Sequence, residues 1–204
     1  MRKVVATLGL LAALLPARPA LAMYSNTDFS WPDNTTVYWT VKRFAVETTT
    51  DQNFPPWMTN DISSAAYAWD GVAPANGCRF NYLDPASNFW RLAPMGQGTQ
   101  GTTGITYDPN DPYTITQGRT YVNSFYNWYE ATGPGLYLGL LATELFDYSA
   151  LDLPTIARHE WGHWIHLADI PVHSGDIMQG GSAFYESRPI SSDDISSFRM
   201  TYGG

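Results

Sequence analysis

Short stretches of alternating apolar and polar residues along the chain are interrupted by three stretches with a helical period. In residues 34–46, Val37, Trp39 and Val41 would point to one side of an extended chain, which predicts a strand. Residues 57–70 carry apolar side chains three and four positions apart, and they therefore predict an amphipathic helix packed against a core.

The same periodicities predict the elements in the middle of the chain. Strands are predicted at residues 78–83, 88–92, 104–107 and 119–128. Residues 95–104 are rich in Gly, Gln and Thr and predict a surface loop, whereas residues 136–146 fit either a buried loop or a short helix.

Two later helices have recognisable start signals. Asp152 is a suitable N-cap for a long helix over residues 152–167. Ser191 or Ser192 can cap a last helix that ends near residue 200. The order of strand, helix, several strands, long helix, loop and helix predicts one α+β domain.

The N-terminal segment predicts export. A basic start is followed by an apolar run at residues 4–15, too short to span a bilayer, and by an Ala-Leu-Ala cleavage site at residues 20–22. Residues 1–22 are therefore interpreted as a signal peptide. We expect residues 23–204 to form the mature domain, secreted to the extracellular space or the periplasm.

The mature chain is acidic. Without the three basic residues of the signal peptide, eight basic side chains face nineteen acidic ones, a net charge of −11. This charge argues against nucleic acid or an anionic membrane as a partner, and no later apolar run is long enough for membrane insertion. We expect a monomer, with the single cysteine, Cys78, as a small buried core residue.

One stretch carries recognisable chemistry, because it reads His-Glu-x-x-His from His159 to His163. Residues four apart lie on one face of a helix, about one turn apart. The two imidazoles can therefore bind one zinc ion, and Glu160 can act as a general base on water at the same metal. Trp161 and Trp164 flank this face and are expected to pack in the core.

A catalytic zinc site needs a third protein ligand. His166 lies seven residues from His159, about 10 Å along a helix, which is too far to share one ion comfortably. Asp169 can reach the ion if the helix ends near residue 166 and a turn follows. His173 can reach it if the loop folds back. Asp169 is the preferred third ligand and His173 the alternate.

A methionine nine residues after Asp169 completes a longer pattern. The series His-Glu-x-x-His-x-x-His-x-x-Asp, followed by Asp176-Ile177-Met178, resembles the metzincin clan of zinc endopeptidases. That clan has His-Glu-x-x-His-x-x-Gly-x-x-His/Asp with a methionine turn below the zinc.

Two groups within the clan are similar to different parts of the chain. Residues 151–158 and residues 190–203 resemble the matrixins, whereas the aspartate ligand and residues 178–181 resemble the small secreted snapalysin-type proteases. His166 departs from the pattern, since the family has glycine there, which permits a turn with positive φ.

The resemblance implies a zincin fold, with a mixed twisted sheet, an active-site helix and a C-terminal helix. It implies that His159, His163 and Asp169 bind the zinc. Glu160 would be the general base in peptide-bond hydrolysis by a zinc-bound water, and Met178 would form the hydrophobic floor of the site.

The resemblance also implies where a protein or peptide substrate binds. Gly104, Ile105 and Thr106 would belong to an edge strand to which the substrate adds in extended form. Phe184 and Tyr185 would wall the pocket on the primed side of the scissile bond.

Two functions from different classes remain open. The first is a secreted zinc endopeptidase, and the second is a catalytically silent zinc- or peptide-binding module on the same fold. Glu160 favours the enzyme, because a binding module has no need of a base there. Calcium could also bind the Asp/Asn/Pro clusters at residues 84–88 and 108–111, although such clusters are more often plain turns.

Overall fold

The computed structural model describes six ranges of the chain. These are residues 29–42, 54–96, 98–129, 150–170, 176–180 and 188–203. The predicted signal peptide and residues 136–146 lie outside them, so both interpretations stay predictions. Within the six ranges, no helix has the length and apolar character needed to cross a membrane.

Five strands form one mixed sheet. They are β1 Thr36–Val41, β2 Arg79–Tyr82, β3 Asn88–Ala93, β4 Gly101–Tyr107 and β5 Ile115–Asn123. Their order across the sheet is β2-β1-β3-β5-β4. The first four in this order are parallel, and β4 lies antiparallel to β5 at one edge.

Three helices and a small second sheet complete the described part. The helices are α1 Pro56–Val72, α2 Leu153–Trp164 and α3 Ser192–Thr201. Strands β6 Asn127–Tyr129 and β7 Ala150–Asp152 form a parallel pair that leads directly into α2. This mixed arrangement is compatible with the α+β expectation.

Tryptophans join α2 to the rest of the core. Trp161 and Trp164 on the back of α2 and Trp90 of β3 are all 0% exposed. The indole N–H of Trp161 donates to the Ile62 carbonyl of α1 at 3.0 Å, and that of Trp164 donates to the Thr120 hydroxyl of β5 at 2.7 Å. These bonds fix the rotation of α2 about its axis. The prediction that both tryptophans of α2 pack in the core is confirmed.

Two predictions in the middle of the chain, the loop over residues 95–104 and the strand over residues 119–128, have the wrong bounds. β4 begins at Gly101, so the predicted loop over residues 95–104 includes four residues of a strand. The predicted strand over residues 119–128 is wrong at both ends, because β5 begins at Ile115 and ends at Asn123. The Gly- and Thr-rich start of β4 pairs with β5, and this ladder outweighs the weak strand preference of its residues.

The other elements lie close to their predicted bounds, with one informative exception. β3 is confirmed, and β2 is one residue shorter at each end than predicted. β1 begins at Thr36 and ends at Val41, well inside residues 34–46. α1 extends beyond the predicted helix at both ends. The exception is α2, which ends at Trp164 and not at residue 167.

The N-caps predicted for α2 and α3 are both confirmed. The Asp152 carboxylate accepts a hydrogen bond from the Thr155 N–H at 3.0 Å. Ser191 caps α3 in a capping box, in which its side chain and that of Asp194 each accept from the other's main-chain N–H.

Cys78 is fully buried, as predicted, and burial raises the pKa of its thiol to about 12.

The aspartates of residues 108–111 make hydrogen bonds within their turns. The Asp108 carboxylate accepts from the Asn110 N–H and that of Asp111 accepts from the Tyr113 N–H, so both carboxylates close turns.

Candidate metal centre

The first two residues of the site come from one face of α2. His159 and His163 are one helical turn apart, and their Nε2 atoms lie 3.1 Å from each other. The back of the same helix is held by the buried tryptophans, so this face is turned toward an open cleft.

Both imidazoles are held in the tautomer that metal binding needs. Nδ1 of His159 lies 2.8 Å from the Ile177 carbonyl, and Nδ1 of His163 lies 2.8 Å from the Leu167 carbonyl. A carbonyl oxygen only accepts, so each Nδ1 carries a proton and donates it. In its neutral form, each ring therefore turns an unprotonated Nε2 toward the site.

The turn after α2 brings the third residue to the other two. The His166 N–H donates to the His163 carbonyl and the Leu167 N–H donates to the Gly162 carbonyl, both at 3.0 Å. This pair of bonds is a Schellman motif, which ends the helix and reverses the chain. His166 is the residue with left-handed backbone in this motif, at φ 67°. The family resemblance implied a glycine turn here, and the turn forms with histidine.

Asp169 lies at the end of this turn. Its Oδ1 is 3.1 Å from Nε2 of His159 and 3.6 Å from Nε2 of His163. The following residue, Ile170, pairs with the methionine turn: its N–H donates to the Met178 carbonyl and its carbonyl accepts from the Gly180 N–H. A Cβ on Gly180 would lie 2.9 Å from Cβ of Asp169, so glycine is required for this approach.

The three residues fit one metal ion. In the described ranges, His159, His163 and Asp169 are the one group of three His, Cys, Asp or Glu residues whose ligand atoms converge, all within 4.8 Å of one another. Tetrahedral donors at about 2.0–2.1 Å from zinc lie about 3.3 Å apart. The three observed separations span that value, and two imidazoles with one carboxylate form a common donor set for a divalent transition metal.

Charge within the site favours the ionised aspartate. The hydrogen bond from His159 holds the pKa of Asp169 below its usual value, with partial burial acting against it. Burial alone would lower the pKa of His159. The bond to Asp169 and the negative charge of Glu160 outweigh it, and the pKa of His159 is raised. A proton on Nε2 of His159 and a metal cation therefore compete for the same nitrogen.

Glu160 is held by a chain of hydrogen bonds that begins in the core. Its carboxylate is buried, and Oε2 accepts from the Thr103 hydroxyl at 2.6 Å. That hydroxyl lies 2.7 Å from the hydroxyl of Thr120, which in turn accepts from the Trp164 indole. Since Thr103 gives its only proton to Glu160, Thr120 donates to Thr103. The chain thus aligns four groups and fixes the carboxylate.

Two residues around Glu160 were missed from sequence. Thr103 lay in the predicted loop, and its alternation with exposed neighbours becomes visible only once β4 is recognised as a strand. Gly101 is the second: a Cβ there would lie 2.5 Å from Oε1 of Glu160. No local signal distinguishes this glycine from others in a Gly-rich segment.

Met178 lies directly beneath the helix. It is buried, and a Cβ on Gly162 would lie 2.1 Å from its sulfur, so the thioether packs against the helix at Gly162. The N–H of Ile177 donates to the Asp194 carboxylate at 3.0 Å, which ties the methionine turn to the start of α3.

An open cleft of about 640 Å³ runs between α2 and β4. Ile105 lines it, together with Gly101, Thr103 and Tyr107, which share its face of the strand. Gly104 and Thr106 alternate to the exposed face and do not line the cleft.

The remaining predicted residues fall elsewhere. His166 lines the cleft, but its ring bonds to Tyr107 and is not part of the metal-binding group. His173, Phe184 and Tyr185 lie outside the described residues, so their roles stay predictions.

Comparison with known proteins found no family model that matches the chain and no curated protein that is similar to it. The functional argument therefore rests on the residues of this site.

Proposed function

We propose that this chain is a zinc-dependent endopeptidase with a metzincin-like, matrixin-type fold and an aspartate as third zinc ligand. The observation that carries the proposal is the convergence of His159, His163 and Asp169 beside a buried glutamate, in a cleft bounded by an edge strand. Export through the predicted signal peptide would place this activity outside the cytoplasm.

Zinc is the metal that this donor set suits best. Catalytic zinc sites have three protein ligands, often two histidines and one carboxylate, and keep one position open. Bound zinc polarises a carbonyl group and lowers the pKa of water to about 7. His159 and His163 present Nε2, and Asp169 presents Oδ1, on the side of α2 that faces the cleft.

Glu160 would move the proton. Its Oε2 is occupied by the Thr103 hydroxyl, which leaves Oε1 to accept a proton from the attacking water and to pass it to the leaving amine. Burial of this carboxylate is costly, and a protein without catalytic use for it gains little from keeping it beside the metal-binding group. This favours the enzyme over a catalytically silent zinc- or peptide-binding module.

The edge strand supports a peptide as substrate. β4 pairs with β5 on one side, and an extended peptide can add to an open sheet edge through main-chain hydrogen bonds. Ile105 and Tyr107 present apolar surface to the cleft, whereas Gly101 leaves room beside Glu160.

The test compares wild-type protein with Glu160→Gln after both are loaded with zinc. Glu160→Gln keeps the size of the side chain and removes the base. We expect one zinc per chain in both, cleavage of a mixed peptide library by wild type, and loss of cleavage by about a thousandfold or more in the variant. Mass spectrometry of the peptides gives the result.

Two results would contradict this proposal, the first its enzymatic activity and the second its general base. Wild-type protein with stoichiometric zinc that cleaves no peptide would leave only the binding module. Equal cleavage by wild type and Glu160→Gln would remove Glu160 as the base.

A further inference from the structure

His166 adopts a backbone conformation that histidine rarely takes. In the turn after α2 it occupies the position that glycine usually fills in a Schellman motif, with φ 67°. Left-handed backbone costs a non-glycine residue stability, because Cβ approaches the following carbonyl. Contacts of the imidazole with neighbouring elements can offset this cost.

The imidazole makes two such contacts. Its Nε2 lies 2.8 Å from the Tyr107 hydroxyl, at the end of β4. Its ring stacks on Phe29 at 4.8 Å between centroids, with 20° between planes, and Phe29 packs edge-on against Tyr107 at 5.1 Å. We call these three residues, His166, Tyr107 and Phe29, the aromatic tether.

The tether meets β4 where its pairing is irregular. Thr106 pairs with Gln117, whereas Tyr107 pairs with Ile115, so one residue of β5 is left over. Such a bulge bends the strand and weakens the local ladder. The Tyr107 end of the edge strand therefore depends on side-chain contacts more than a regular strand end does.

Two hydrogen bonds join β4 to α2 and to the turn that follows α2. Glu160 on α2 bonds to Thr103 near the start of β4, and His166 after α2 bonds to Tyr107 at its end. Ile105 lies between them and lines the cleft. The same turn that contains His166 delivers Asp169 to the two histidines.

We propose that His166 is a positioning residue, which ties the turn that carries Asp169 to the end of β4 and so holds the edge strand at a set distance from the metal-binding group. The proposal rests on the proposed function for its substrate, an extended peptide along β4. Its effect on the strand and on the turn does not depend on catalysis.

Three variants separate the parts of the tether. His166→Gly removes the imidazole and relieves the backbone. His166→Ala removes the imidazole and keeps the backbone cost. Tyr107→Phe removes only the hydroxyl that bonds to His166, because the ring and its packing remain.

Zinc affinity, measured by competition with a chelating dye, reports on the turn. We expect His166→Gly to bind zinc nearly as wild type does, because glycine adopts this conformation freely. His166→Ala should bind about five- to tenfold more weakly than His166→Gly. Equal affinities of the two variants would overturn the role assigned to the turn.

Hydrogen exchange and kinetics report on the strand. We expect faster amide exchange near Tyr107 in His166→Gly and Tyr107→Phe, with no change near Gly101. For peptides long enough to lie along β4, KM should rise about five- to tenfold in both variants at unchanged kcat. A residue that only stabilises the turn would change neither quantity.

The outcomes distinguish this proposal from the proposed function. If wild type cleaves no peptide, the protease fails, while exchange along β4 and the two zinc affinities still decide the tether. If wild type cleaves peptides and His166→Gly changes neither exchange nor KM, the tether is wrong and the protease stands.

Discussion

The two sides of the candidate metal centre are built by different means. His159 and His163 lie on one regular helix, where a spacing of four residues is sufficient to bring their Nε2 atoms to 3.1 Å. Asp169 arrives through a turn with left-handed backbone and is held against the methionine turn by main-chain bonds to Ile170. The comparison teaches that the helical side depends on local geometry, whereas the turn side depends on contacts from several elements.

Removing one proposed ligand from each side gives the largest expected effects. His163→Ala and Asp169→Ala should each lower zinc affinity by about a hundredfold or more and peptide cleavage by on the order of a thousandfold, because each leaves two protein ligands. Dye competition and peptide cleavage measure both. Asp33→Ala, at an exposed position outside the cleft lining, is the control. Wild-type zinc affinity in Asp169→Ala would show that the turn side supplies no ligand.

Acid should weaken metal binding through the helical side. The pKa of His159 is raised and that of Asp169 is lowered, so near neutral pH a proton on His159 competes with the metal while Asp169 stays ionised. Zinc affinity should fall at least roughly tenfold per pH unit below the pKa of His159. Titrations from pH 5 to 8 test this, and a flat profile would contradict it.

In the metal-free protein, His159 should stabilise the fold less as pH rises, whereas zinc binding becomes stronger as pH rises. A raised folded-state pKa contributes stability below the unfolded value of 6.5, which is lost as pH rises through the folded-state pKa. The depressed pKa of Asp169 adds stability above 3.8. Urea unfolding should therefore show that the stabilisation by zinc increases with pH, since the metal-free protein loses its His159 contribution.

Two glycine-to-alanine substitutions compare the effect on stability of adding a Cβ at a tightly packed helix position and at an open one. Gly162→Ala places a Cβ 2.1 Å from the sulfur of Met178, so overpacking should lower the free energy of unfolding by about 1–3 kcal/mol. Gly71→Ala in α1 has no atom within 4 Å of the added Cβ and should raise it by up to about 1 kcal/mol. Urea unfolding of both measures the contrast. Equal effects would mean that Met178 does not pack on α2 as described.

The smallest effect is expected from the hydrogen-bond chain to Glu160. Thr103→Val keeps the shape of the side chain and removes the proton that Glu160 accepts. Loss of one bond to a charged group should lower kcat by about tenfold, with zinc content unchanged. Thr106→Val, on the exposed face of β4 and outside the cleft lining, is the matched control. Equal kcat in the two variants would show that the chain does not orient the base.

The residues of α2 in the site could be predicted from the sequence, and the residues of β4 that contact Glu160 could not. The His-Glu-x-x-His spacing and the N-cap at Asp152 followed from periodicity and helix geometry. Asp169 was only preferred over His173, on the expectation of a turn after the helix, and the structure brings its carboxylate to the two histidines. Thr103 and Gly101 could not be found, because their roles depend on pairing between β4 and β5. Likewise, the early end of α2 depends on His166, whose backbone is favoured by Tyr107 and Phe29, residues far away in sequence.

The most direct test of the metal centre is anomalous diffraction from crystals of the zinc-loaded protein, recorded on both sides of the zinc absorption edge. We expect one strong peak about 2.0–2.1 Å from Nε2 of His159, Nε2 of His163 and a carboxylate oxygen of Asp169, with Glu160 beside it and not bound to it. A peak bound by His166 or His173 in place of Asp169, or no peak between the two histidines, would contradict the account.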